Sequence, residues 1–218
     1  MLTAPVLSKS SAQVELYQLG LTEGLLRDAV LVGERARNGC TRLHPAPFPG
    51  LFAWAEMIRH LREQLIVERW RPVDDRNCPV IVNPSDTIVL TLMQGDDATG
   101  IGYRTPRTKS AKGPVAMDFI DRNRSQLALF DLAPLTAADS ALVNKLPPQA
   151  VTWVLLTHRN AVSVNLELSL PSEMDVEGRV VSWSRRIILN PVMLLEAPMP
   201  IVPDVPAIDI AVTPRVRA

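Results

Sequence analysis

"VSVNLELSL" occupies residues 162–170. Val162, Val164, Leu166, Leu168 and Leu170 alternate with Ser163, Asn165, Glu167 and Ser169. A period of two sends successive side chains to opposite faces of a strand, so the apolar set shares one face. The pattern predicts a half-buried antiparallel strand with a polar outer face. Two further β-rich runs flank it, "VTWVLLT" from Val151 and "GRVVSWSRRIIL" from Gly178, joined through "HRNA" and "PSEMDVE". Both connections have turn composition, so residues 151–190 are expected to form three consecutive antiparallel strands. Val164, Leu166 and Leu168 then need an apolar cover.

The first 71 residues supply that cover as helices. Ser11 is a cap for a short helix ending near Leu19. Thr22 is a good N-cap, with Glu23 in the first turn and Gly39 as a stop. Between them Leu25, Leu26, Ala29, Val30 and Gly33 fall on one face, with Arg27, Asp28, Glu34 and Arg35 mostly on the other. After the proline-rich "HPAPFPG" at residues 44–50, Leu51, Ala55, Ile58, Leu61 and Leu65 recur at helical steps. Arg59, Arg62, Glu63 and Glu68 supply the wet side, and the helix ends before Pro72. "CPVIVN" and "DTIVLTLMQ" are β-branched runs around the turn "PSD", which predicts a hairpin. The expected fold class is α+β: N-terminal helices on a mostly antiparallel sheet, in a single domain over residues 1–190.

A long insertion, residues 95–150, interrupts the sheet. Structureless connections beyond about 12–15 residues are uncommon in compact domains, so it needs its own elements or a function. A helix is expected from Pro114, with Met117, Ile120, Leu127 and Phe130 roughly aligned, and another in "TAADSALVNKL", capped by Thr136. Residues 191–218 hold six prolines and are expected to be an extended tail.

Composition excludes more than it assigns. The 218 residues are 47% hydrophobic and 21% charged, with 23 basic and 23 acidic side chains, so only local clusters argue for an anionic partner. The N-terminus lacks the basic start and apolar run of a signal peptide. No stretch approaches the roughly 20 apolar residues of a membrane span. A cytoplasmic protein without membrane contact is expected. Cys40 and Cys78 stand apart with no CxxC, which favours reduced thiols and no zinc site.

No catalytic motif is complete, and no cofactor or metal is implied. Asp96 and Asp97 in "GDDATGIG" are paired carboxylates after a strand, the starting point for a metal-dependent hydrolase or nuclease subunit. A polar turn leaving a sheet needs the same residues. The glycines lack dinucleotide-loop and P-loop spacing. His44 lies in the proline loop, His60 in a helix and His158 at an expected hairpin turn, none beside a nucleophile in sequence.

Two neighbouring signals point to partners. "YRTPRTKSAKGP" holds Arg104, Arg107, Lys109 and Lys112; with Arg122 and Arg124, less Asp118 and Asp121, four positive charges remain over residues 104–124. Interleaved Thr and Ser can bond phosphate oxygens, and Tyr103 offers a stacking face, a composition suited to a DNA or RNA backbone without base specificity. The competing reading is a solvated loop balanced by acids elsewhere. The second signal is "QLALF", residues 126–130. It resembles the clamp-binding peptide of bacterial DNA polymerases, repair proteins and some mobile-element proteins. The resemblance implies that Leu129 and Phe130 anchor in a pocket on the sliding clamp, with Gln126 at its mouth and Leu127 in a neighbouring groove. The rival is a packed helix, since Leu127 and Phe130 are three apart. Together the signals suggest a non-catalytic accessory protein of bacterial DNA metabolism or of a mobile or defence element. A subunit of a larger complex is the other non-catalytic reading.

Overall fold

The structure, a computed structural model, describes the backbone of residues 9–129 and 146–194 and the side chains of residues 11–125 and 146–194. Three helices come first: α1 (Lys9–Gln18), α2 (Glu23–Asn38) and α3 (Phe48–Val67). The Thr22 hydroxyl caps α2 by accepting from the Leu25 N–H, as its position predicts. A meander follows, β1 (Arg71–Asp75), β2 (Cys78–Val82) and β3 (Ile88–Gln94). Helix α4 (Pro114–Leu129) leads to β4 (Val151–Arg159), β5 (Ser163–Met174), β6 (Val180–Ile188) and the short β7 (Val192–Met193). The sheet runs β1-β2-β3-β4-β5-β6, with β7 also paired to β5. Every pairing is antiparallel except β3 with β4. The fold is α+β, with the helices at the N-terminal end and three antiparallel strands over 151–190.

The alternation in "VSVNLELSL" puts Val164, Leu166, Leu168 and Leu170 into one apolar cluster with Leu26, Val30, Ile58 and Leu61 of the helices. The opposite face is also covered. Val80, Val89, Val154, Leu156 and Trp183 pack on Ala116, Phe119 and Ile120 of α4. Glu167 and Ser169 are therefore fully buried, not solvated as the alternation alone predicts. A strand with polar residues on a buried face needs partners for them. Arg186 of β6 meets Glu167 through two nitrogens, at 3.1 and 2.7 Å, and the Ser169 hydroxyl donates to the same carboxylate at 2.7 Å.

That second cover is the insertion. Parallel neighbours need a crossover of a dozen or more residues, and residues 95–150 supply the one between β3 and β4. The stretch 95–112 is held on the sheet. Gly100 N–H donates to Glu167, Arg186 donates to the carbonyls of Arg104 and Ile101, and Trp183 Nε1 donates to the Pro106 carbonyl. Asn123 of α4 is fully buried. Its amide donates to the carbonyls of Thr152 and Pro171 and accepts from Thr152 N–H.

Several local expectations change. Residues 171–174 are the end of β5, not a turn; the strand passes Pro171 with register shifts, and a bulge is where a strand tolerates proline. Arg71–Asp75 is a strand, where the sequence predicts only the end of a helix. On α3 the buried stripe is Ala53, Met57, Ile58, Leu61 and Leu65, while Leu51 and Ala55 face outward. His158 lies in β4, ahead of the turn. The expected helix at 136–146 and the tail beyond 194 fall outside the described residues. Cys40 and Cys78 are free thiols. Among the described residues no helix is long and apolar enough to cross a membrane.

Candidate functional site: a cationic cleft

The parallel strands β3 and β4 end side by side, Gln94 opposite Thr157. The carboxyl ends of parallel strands are where open α/β sheets place ligands. Here a cleft of about 320 Å³ opens between those ends and helices α2 and α3. That is at the small end of the range for ligand pockets. Its floor is Ala53, Met57, Leu92 and Val164, all members of the main core. Pro47 and Trp54 form one wall.

The charged and histidine lining comes from three separate parts of the chain. Glu34 and Arg37 are on α2, Lys109 is in the crossover, and His158 and Arg159 end β4. Glu34 is 5% exposed. Its two oxygens accept from Arg37 Nε at 3.2 Å and from Arg159 Nε at 2.8 Å. A buried carboxylate is tolerated because both its oxygens are met by charged donors. The arrangement leaves the outer Nη groups of both guanidiniums without a partner among the described residues. Arg37 lies against α3, its Nη1 3.9 Å from where a Gly50 Cβ would sit. The Lys109 main chain is fixed by donating to the Gln94 carbonyl at 2.9 Å, which places the residue on the cleft lining. His158 Nδ1 lies 3.3 Å from the Gly95 carbonyl. A carbonyl only accepts, so Nδ1 carries the proton in this bond and Nε2 is the nitrogen it leaves unengaged.

Close packing of α2 on α3 sets the width. A Cβ on Gly33 would lie 2.5 Å from Met57 Cγ and 2.8 Å from the Ala53 carbonyl, so only glycine lets the helices meet here. Gly33 precedes Glu34, and the close approach carries the carboxylate to Arg159.

The residues singled out in the sequence are distributed differently. Arg104 makes a two-bond pair with Asp97, both contacts at 3.0 Å, and holds that carboxyl below the usual carboxylate range. Arg107 pairs with Asp175. Lys112 donates to Ser110 Oγ, and burial lowers its pKa. Tyr103 is 84% exposed. Arg122 is half-buried on α4, with both Nη atoms sealed from water and unpartnered among the described residues; desolvation lowers its pKa. Arg124 lines a separate cavity beside Met117 and Glu173. The basic run is thus not one surface, and of it only Lys109 reaches the cleft. Asp96 Oδ1 accepts from Ala98 N–H and Asp97 is taken by Arg104, the bonding of a polar turn. No group of three or more metal-ligating side chains occurs among the described residues. Gln126, Leu127 and Leu129 contribute backbone to the last turn of α4; their side chains, and all of Phe130, lie outside the described residues.

Glu34, Arg37 and Arg159 are absent from the candidates that the sequence offers, and His158 enters there only as a histidine without a neighbouring nucleophile. The three-residue step from Glu34 to Arg37 is an ordinary helical ion pair, and Glu34 reads as a wet-side residue. Arg159 is 125 positions away, and only the crossover topology brings it there. No family model, curated protein or solved structure matches the chain.

Proposed function

We propose that the chain is a non-catalytic binding protein of nucleic-acid metabolism, which holds a sugar–phosphate backbone at the cleft where β3 and β4 end. One observation supports this reading above the others. Arg37, Lys109 and Arg159 line a concave site whose one carboxylate among the described residues, Glu34, is already shared between the two arginines. Forked guanidinium donors match phosphate oxygens in pairs, and clustered cations release counterions on binding. Pro47 and Trp54 beside them offer an apolar wall for a sugar or base. The clamp-like peptide at 126–130 belongs to the same reading as a recruitment element, supported by its sequence alone.

The test is the anisotropy of a labelled single-stranded oligonucleotide titrated with the full chain at several salt concentrations. Affinity is expected to fall steeply with salt. Changing Arg37 and Arg159 together to alanine should lower affinity at least tenfold and shallow the salt slope by about two units, one per lost contact. Affinity indifferent to both salt and the double change overturns the reading.

A further inference from the structure

The charge and shape of the cleft say which phosphate it takes. Among the described residues three cations and one carboxylate line it, leaving two positive charges. Asp97 is spent on Arg104 outside the lining. An internal phosphodiester carries one negative charge and continues as chain on both sides. A phosphomonoester carries about −1.5 to −2 at pH 7, has three terminal oxygens, and is attached on one side only. Met57, Leu92 and Val164, which line the cleft, belong to the packed core, and a group with three terminal oxygens can be met by three cationic donors at once.

We propose that the cleft binds a phosphomonoester, presented either by the 5′ end of a nucleic-acid strand or by a free nucleotide. The inference rests on the reading of the cleft as a phosphate site. The two outer guanidinium edges and the Lys109 ammonium address the three terminal oxygens. Glu34 locks both arginines through Nε, so the donors are set before the ligand arrives and little side-chain entropy is lost on binding. The ester oxygen points outward, and the sugar and base leave along Pro47 and Trp54.

A competition experiment with the full chain separates the outcomes. The probe is a short single-stranded oligonucleotide with a 5′-phosphate. Competitors are the same strand with a 5′-hydroxyl, a nucleoside 5′-monophosphate, inorganic phosphate and an aspartate-rich peptide. The phosphorylated strand is expected to bind at least tenfold tighter than its hydroxyl twin, and the nucleoside monophosphate to displace it. Arg159→Gln, at a half-exposed side chain whose replacement keeps an amide donor for Glu34, should erase the preference with little change in melting temperature. Strong competition by the monophosphate with no strand binding supports the monoester site, assigns it to free nucleotides and removes the strand reading. Equal affinity for phosphorylated and hydroxyl strands, still dependent on Arg37 and Arg159, overturns the inference and leaves backbone binding standing. Preference for the aspartate-rich peptide, or no binding of any probe, overturns both.

Discussion

Glu34 holds the cleft together, and its cost depends on where it sits. A carboxylate that is 5% exposed has lost most of its water and needs both arginines to replace it. Removing its charge leaves two guanidiniums facing an amide. Glu34→Gln is therefore expected to cost about 1.5–3 kcal/mol, the range for hydrogen bonds to charged groups. Arg159→Gln keeps an amide that can donate to Glu34 and leaves Arg37 in place, so it should cost less. Denaturant melts of both variants check the contrast, and equal costs would mean that the carboxylate behaves as a surface group. Polar residues inside helices give no hint of such a role. Glu34 follows the apolar stripe of α2 by one position, and its burial is decided by Gly33, which lets α3 close over it.

At the level of elements, hydrophobic periodicity carried most of the fold. The strand at Val164–Leu170, its two neighbours and α2 follow from patterns of two and of three to four residues, because each has one dominant apolar face. Where a second face is also buried, the pattern misleads. Glu167 and Ser169 look solvated by alternation, and the crossover that covers them, with Arg186 and the Gly100 N–H as partners of Glu167, explains them. Likewise Pro171 reads as a turn because proline donates no ladder bond, yet Asn123 takes up its carbonyl and β5 continues. Helix α4 was legible from Pro114, and it bears on the clamp-like peptide. Gln126–Leu129 have helical backbone, whereas linear recognition by a clamp pocket needs an extended chain. Clamp binding would thus unwind the last turn of α4, at little expense because helix ends hold few bonds. If the peptide is a recruitment element, changing Leu129 and Phe130 together to alanine abolishes binding to purified clamp with little change in melting temperature. If both are packed, the same change costs several kcal/mol, since each truncation in a core costs about 2–5 kcal/mol. A titration and a melt distinguish the two.

Across the whole molecule, the parallel pairing of β3 with β4 is the feature least visible in the sequence, and the cleft depends on it. Strand runs carry no sign of direction. Only the need for a crossover distinguishes a long insertion from a loop, and the glycines and basic residues of 95–113 look like mobile surface. The structure makes this stretch part of the domain. Glu167 and Arg186, 0% and 1% exposed, sit beneath it and bond the Gly100 N–H and the carbonyls of Ile101 and Arg104. Thr108 N–H donates to the Val180 carbonyl at 3.0 Å, and Lys112 N–H to the Gly178 carbonyl at 2.6 Å. Amides bonded into a buried network open only with the surrounding structure, so hydrogen exchange measures whether the crossover is a layer or a loop. The Gly100 and Thr108 amides are expected to exchange about as slowly as those in the centre of β4. In Glu167→Gln the buried guanidinium loses its counter-charge. Breaking one partner of such a pair costs about 3–5 kcal/mol. Exchange at Gly100 should then accelerate more than exchange in α2, because the lost acceptor is its own. Rapid exchange of Gly100 and Thr108 in the parent chain would mean that the insertion is mobile after all. Lys109 would then have no fixed place at the cleft, and the proposed phosphate site would lose one of its three cations.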